Sequence, residues 1–425
     1  MRLFFTLILL LGVSHLHAQF KNILLDPGTA ENKPVDPGIA INPNNPKNLV
    51  AVSSLNNVYF SSNSGLSWKK SLIPSSFGIG GHPLLAADFK GNLYFFHLPD
   101  KHHDQNQIVV QESGNGGETW TDGVAIEGLG GSKDKRYPRA RVDRKGNWYA
   151  TWTQFDSYGS SDPGCQSLIL LSTSSNGKKW SKPIQVSQTP GDCSNIKNSA
   201  IGASPAVTAG GERIFIAWAN QEKIFFDRSF DGGKMWLSTD LPIAEQPGGP
   251  VFNIPGLKAA NGMPLLLCDN TKKGNLSGAL YIVWADQRNG EQDTDIWFAR
   301  STSYGDNWTI SGRVNNDGPG KHQFLPSMAI DPTTGYIYIV YYDRRAYDDL
   351  RTDVYLAYST DAGAVFKNVK ISETPFTPSD EVSFGDYISI SADHGIITPI
   401  WTRMDNGQTS IWTAVIKSED LMNVK

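Results

Sequence analysis

The strongest constraint on this chain is a short pattern that it repeats. Ser229-Phe230-Asp231-Gly232-Gly233-Lys234-Met235-Trp236 reads Ser-x-Asp-x-Gly-x-x-Trp. Variants recur at Ser61 to Trp68, Ser113 to Trp120, Thr173 to Trp180, Ser301 to Trp308 and Ser359 to Phe366. Every copy keeps a glycine three residues before the closing aromatic, and glycine reaches positive φ without steric cost. The Ser and Asp/Asn side chains can accept hydrogen bonds from the turn's own backbone, which fixes where the aromatic packs. A unit repeated along the whole length is read before any local feature, because such a chain folds as an array.

A second repeat precedes each of these turns: a proline, alternating apolar residues, then a polar turn. It starts at Pro37, Pro83, Pro138, Pro205, Pro264 and Pro326, and a seventh copy, Asp386-Tyr387-Ile388-Ser389-Ile390, carries Asp386 in the proline's place. The period-2 alternation predicts a strand, and proline suits a strand's first residue because it donates nothing to the ladder. A second apolar strand follows each time, as in Tyr281-Ile282-Val283-Trp284 and Tyr338-Ile339-Val340-Tyr341. A third leads into the Ser-x-Asp turn and a fourth leaves it. Four strands per unit is the size of a propeller blade.

The box aromatics from Trp68 to Phe366 are spaced by about 60 residues on average. Six boxes allow six blades, but seven strand starts and this spacing favour seven. The chain ends where a seventh box would fall, so the last blade has three strands of its own. Its fourth is expected from Lys21-Asn22-Ile23-Leu24-Leu25-Asp26, a closure that leaves no open sheet edge.

The repeated pattern is that of the Asp-box, or BNR repeat, and the chain resembles the sialidase-like β-propeller superfamily over nearly all of residues 19–425. The resemblance implies an all-β, seven-bladed propeller in one domain, with a six-bladed ring as the alternative. It also implies a glycoside hydrolase acting on an acidic sugar such as sialic acid. Such enzymes bind the substrate carboxylate with an arginine triad and use a Tyr–Glu nucleophile pair with an Asp acid/base. The chain departs from them in its first blade, where Val35-Asp36-Pro37-Gly38 stands in place of an aromatic-Arg-Ile-Pro run. That departure keeps a second reading open: a non-catalytic propeller that binds glycan or protein at the same mouth.

Antiparallel order places the turn before strand one and the loop after strand two on the same face, opposite the boxes. Asp286 and Arg288 of blade five match Asp343 and Arg345 of blade six, with Arg344 between them. Strand starts add Asp36, His82, Arg136, Tyr137, Arg139 and Asp386, and blade seven adds Arg403. The expected catalytic groups are Asp36, Tyr137, Asp286, Asp343 and Asp386, with Tyr387 as an alternative nucleophile. The expected binding groups are His82, Arg136, Arg139, Arg288, Arg344, Arg345 and Arg403, since a guanidinium fork meets a carboxylate bidentately. A purely structural network bracing the loops is the competing expectation.

Residues 1–18 read as a secretory signal peptide: Arg2, the apolar run Leu3 to Val13, and Ala18 at the cleavage point. The run is too short to span a bilayer. A secreted or periplasmic monomer is therefore expected. Export permits disulfides, and Cys165 and Cys193 both lie in Gly/Pro/Asp-rich loops, so they are expected to pair, with Cys268 left as a buried thiol. A net charge of −4 gives no reason to expect nucleic acid as a partner. No cofactor is expected. Acidic loops leave room for a structural calcium ion, though none has EF-hand spacing. His102-His103-Asp104 is expected to be a solvated loop rather than a metal site, because adjacent residues on an extended chain point apart.

Overall fold

The computed structural model describes residues 20–103, 107–130, 133–194, 197–271 and 276–424. The expected signal peptide and Asp104 lie outside them. Seven four-stranded antiparallel sheets stand in a ring. Blade one is Gly38–Ile41, Leu49–Ser53, Asn57–Ser61 and Lys69–Leu72, paired in chain order. The innermost strand of each blade touches the innermost strand of the next, and Ser389–Asp393 of blade seven returns to Gly38–Ile41. These strands therefore line the central channel.

The ring closes as the sequence implies. Asn22–Asp26 pairs antiparallel with Gln408–Ala414 as the outer strand of blade seven. Asp26 then fastens the closing strand to blade one: it accepts hydrogen bonds from the Tyr59 hydroxyl at 2.6 Å and from Lys70 Nζ at 2.7 Å. Beyond the expected strands, Ile416–Lys417 adds to blade seven and a short helix, Ser418–Met422, buries Leu421.

The recurring turn is built as its residue types require. Ser229 Oγ donates to Asp231 Oδ1 and accepts from the Gly233 N–H, Asp231 Oδ1 accepts from the Met235 N–H, and Trp236 Nε1 donates to Gly233 O. The glycine has a second duty. At Gly363, φ is +78° and an added Cβ would lie 2.2 Å from Phe298 of the preceding blade. The closing aromatic Phe366 packs edge-on against the same Phe298 ring, with centroids 5.0 Å apart. This turn thus wedges blade six against blade five. Between the sheets, Trp148, Trp152, Trp218, Trp284 and Trp401 are fully buried.

Blade four corrects the sequence register. Its first strand bulges between Ile201 and Ser204, and blade three bulges between Arg136 and Arg139. Matching the bulges puts Ala203, not Pro205, level with Pro138. The slip is two residues, so the alternation of faces survives it. In blade seven, pairing begins only at Ser389, and Asp386 to Ile388 form a run-in ahead of the strand.

Candidate functional site

Four run-ins to inner strands share an unusual backbone. Asp36, His82 and Tyr137 sit at φ of +54°, +51° and +56°, each immediately before a proline, and an apolar residue, Leu325 before Pro326 in blade six, does the same at +51°. A non-glycine residue in this region costs about 1–2 kcal/mol. In blades two, three and six a β-bulge accompanies it, between Gly81 and Leu84, between Arg136 and Arg139 and between Phe324 and Ser327. Bulges of this kind re-aim side chains, and here groups from blades one, two, three and seven meet at the mouth of the channel.

Asp36 Oδ1 accepts the backbone N–H groups of Asp386, at 2.5 Å, and Tyr387, at 3.2 Å. The Tyr387 hydroxyl lies 3.3 Å from His82 Nδ1. The Tyr137 ring meets His82 edge-on, with centroids 5.1 Å apart. Arg139 lies over the Tyr387 ring at 4.7 Å, and Arg136 over Tyr158 at 4.4 Å. Arg136 Nε is buried without a hydrogen-bond partner among the described residues. The floor beneath is apolar: Tyr137, Phe155, Ile201 and Met263 pack together, and Val251 and Tyr387 lean on them. Cys165 and Cys193 belong to the same floor and are disulfide-bonded. Below the cup runs a channel cavity of about 350 Å³ that Arg139 and Arg141 help to line.

Burial and proximity set the charges. Burial, then the neighbouring Asp386, pushes the Asp36 carboxyl up to about 7, against the two backbone donors and Arg139. Burial also raises Asp386, and Arg136 opposes this. His82 is pushed down to about 3 by burial and by Arg136 and Arg139, so it is neutral. Burial raises the Tyr137 and Tyr387 hydroxyls well above the ordinary tyrosine range. The cup therefore offers guanidinium groups, a carboxyl with its pKa raised to about 7, and aromatic faces. Such a set can hold an anion and transfer a proton.

The cup gathers Asp36, His82, Arg136, Tyr137, Arg139, Asp386 and Tyr387. The other named residues are placed elsewhere, which corrects the expectation that they share this opening. Arg288 grips Asp286 two residues away, with Nη2 2.6 Å from Oδ2, and stacks on Trp297 at 3.9 Å. Arg345 grips Asp343 in the same way at 2.7 Å and lies over Tyr355. Arg403 pairs with Asp405 and donates to Thr374 and Pro375 carbonyls. Arg344 is buried and donates to Pro255 O and Thr352 Oγ1. For Arg288, Arg345 and Arg403 the Asp partner lies two residues away in the same loop, whereas Arg344 braces the loop against Pro255. Sequence reasoning missed Tyr158 and Asn261. Asn261 donates to Asp386 O at 3.0 Å from a short ribbon, Val251–Phe252 with Ala260–Asn261, inserted between blades four and five. No repeat marks this insertion, so the blade pattern carried no signal for it.

Elsewhere, His103 is exposed and bonded to Asp100, as a solvated loop would be. Among the described residues no group of three or more His, Cys, Asp or Glu is spaced to hold a metal ion. Cys268 is half-buried, and burial pushes its thiol up to about 12. No helix among the described residues is long and apolar enough to cross a membrane.

No family model matches the chain, and no curated protein matches it in sequence. Solved structures do match in fold. One is an ulvan lyase, a polysaccharide lyase bound to -[GlcA(1-4)Rha3S]-, at a TM-score of 0.54 and 12% identity, covering 94% of this chain and 96% of that one. Another is the α-L-arabinofuranosidase of Fusarium graminearum with an iminosugar inhibitor, at 0.53 and 12%, covering 96% and 100%. A third is the α-L-arabinanase of Penicillium chrysogenum with arabinobiose, at 0.50 and 11%, covering 94% and 98%. At these identities the likeness is one of fold, and the chain is similar in fold to propellers that carry the names of carbohydrate-active enzymes.

Proposed function

We propose that residues 19–425 form one exported, monomeric domain that takes an acidic sugar of a glycan in the cup and hydrolyses its glycosidic bond. The observation that carries this reading is the contrast among arginines. Arg288, Arg345 and Arg403 are spent on carboxylates within their own loops. Arg136 and Arg139 lie on tyrosine faces beside the Asp36 carboxyl, whose pKa is raised to about 7. In this reading the two guanidinium groups receive the sugar carboxylate. Asp36 gives its proton to the leaving oxygen. Tyr137 attacks the anomeric carbon and passes its proton to Asp386. Water then attacks the anomeric carbon and gives its proton to Asp36, the bond to Tyr137 breaks, and Tyr137 recovers its proton from Asp386. Sialic acid is the sugar favoured by the sialidase-like repeat, although tyrosine nucleophiles are the exception among glycosidases.

One contact favours a second reading, elimination from a uronate. Neutral His82 and the Tyr387 hydroxyl sit 3.3 Å apart beside the two arginines. With the sugar carboxylate neutralised, a base removes the C5 proton, the C4–O bond breaks, and an acid protonates the leaving oxygen. A C4=C5 double bond remains. A third reading, binding without turnover, needs only the arginines and the rings.

A screen of sugars released from sialylated and uronic-acid glycans separates these outcomes. Saturated sugar with a new reducing end supports hydrolysis. An ultraviolet-absorbing unsaturated product supports elimination and ends the hydrolase reading. Binding with no product from either glycan class ends both enzyme readings.

A further inference from the structure

A cavity of about 880 Å³ does not contain the cup residues. It opens beside the cup on the same face. The inserted ribbon, the Gln287–Gln292 loop of blade five and Asp380 ahead of blade seven enclose it. Its volume lies in the range of small-ligand sites, about 300–1,000 Å³.

One ribbon walls both spaces. Val251 lines the cavity and also packs against the Tyr137/Tyr387 floor, and its strand partner Asn261 holds Asp386 O. The ribbon is fixed on both sides. Ile254 and Leu257 are buried, and Arg344 donates to Pro255 O at 2.7 Å. Gln287 Nε2 bridges to Asn253 O, Glu291 O and Thr294 Oγ1. Walls cross-linked in this way are formed before a ligand arrives, which lowers the entropy lost on binding.

The lining differs from that of the cup. Lys197 and Lys258 are balanced by Glu291 and Asp380, and Lys197 is already within 3.2 Å of Glu222. Exposed Asn253 and Gln292 offer amide donors and acceptors beside apolar Phe252 and Leu257. Amides next to apolar surface suit hydroxyls and C–H faces of neutral sugars and give no advantage to an anion.

We infer that this cleft binds the uncharged sugars adjoining the acidic one, so that the ligand is an acidic residue carried on a longer, largely neutral chain. The inference rests on the acidic-sugar reading only for what occupies the cup. The cleft's own chemistry stands apart from it.

The test uses two ladders of oligosaccharides of increasing length, one ended by sialic acid and one by glucuronic acid, with neutral sugars behind. Affinities are measured for the whole chain, for Asn253→Ala/Gln292→Ala and for Arg139→Ala. Both cleft side chains are exposed, so the fold tolerates their loss. The wild type is expected to gain about tenfold with length, the worth of one or two added polar contacts. The cleft variant is expected to bind the free acidic sugar unchanged and to lose that gain. Loss of the gain in the cleft variant, with Arg139→Ala indistinguishable from wild type, keeps the cleft and removes the acidic-sugar reading. Affinity that does not grow with length in the wild type, or a gain that persists in the cleft variant, overturns the inference.

Discussion

The Tyr387 hydroxyl and His82 Nδ1 lie 3.3 Å apart although 305 residues separate them in sequence. Tyr387 enters from blade seven and His82 from blade two, and blade one stands between. Side chains of blades that are not neighbours meet only near the ring axis. The contact therefore puts the cup over the channel, where seven strand starts converge, and not on any one blade.

The arginines divide into two kinds, which predicts opposite phenotypes. Arg345→Ala leaves the fully buried Asp343 carboxylate without its guanidinium, and stranding a buried charge costs about 3 kcal/mol or more. Denaturant unfolding should show that loss, with affinity for an acidic sugar unchanged. Arg139→Ala should do the reverse, leaving stability within about 1 kcal/mol and cutting affinity for an acidic sugar at least about tenfold.

Asp36 makes stability depend on pH. Its folded pKa, about 7, lies above the ordinary 3.8, so between these values the folded chain holds more proton than the unfolded one. Its contribution is complete at acid pH, declines as pH rises from about 4 to 7, and is flat beyond. His82, lowered to about 3 from 6.5, acts oppositely, gaining stability as pH rises through that window. Asp36→Asn keeps an oxygen for the two backbone donors and removes the titration. The stability difference between wild type and this variant, measured from pH 4 to 8, should shift against the wild type as pH rises and level off near 7. A difference that does not change with pH would show that Asp36 keeps an ordinary carboxylate pKa.

The disulfide supports the cup as well as the fold. Cys165–Cys193 closes a loop of 28 residues, worth about 3–4 kcal/mol in chain entropy, and its sulfurs lie in the floor beneath Tyr137. Thiol titration of the unfolded, unreduced chain should find Cys268 alone. Cys165→Ser/Cys193→Ser should unfold at lower denaturant and bind acidic sugar more weakly. Three titratable thiols in unreduced protein would rule the bridge out.

Gly363→Ala tests the wedge between blades. The methyl group would meet Phe298 at 2.2 Å, in a backbone conformation that disfavours alanine. Overpacking and φ strain together should cost about 2–4 kcal/mol, read by thermal unfolding. Because the box turns face away from the cup, sugar binding by the folded fraction should be unchanged.

Much of this molecule was legible in its sequence. The recurring turn gives blade size and direction, and the strand starts give seven blades and the closing strand. Asp36, His82, Tyr137 and Arg139 could be found because the blade pattern puts the residues around each inner-strand proline at the channel mouth. Asp286, Asp343, Arg288 and Arg345 misled because Asp-x-Arg spacing lets a guanidinium fold back on its own loop. A convergent cluster and a self-paired loop look alike in sequence, and only the distances separate them. The register of blade four was hidden by Pro205, which sits two residues inside its strand, and the ribbon of Val251 and Asn261 belongs to no repeat.

If the axial cup, and not the Asp/Arg pairs of blades five to seven, receives an acidic sugar, the two classes of arginine must respond differently to removal. The direct measurement is the affinity of the folded wild type, Arg139→Ala and Arg288→Ala for one acidic oligosaccharide that the wild type binds. Arg139→Ala should bind at least about tenfold more weakly, and Arg288→Ala should bind as the wild type does. Unchanged binding in Arg139→Ala together with a loss in Arg288→Ala would place the acidic sugar at the Asp/Arg pairs instead.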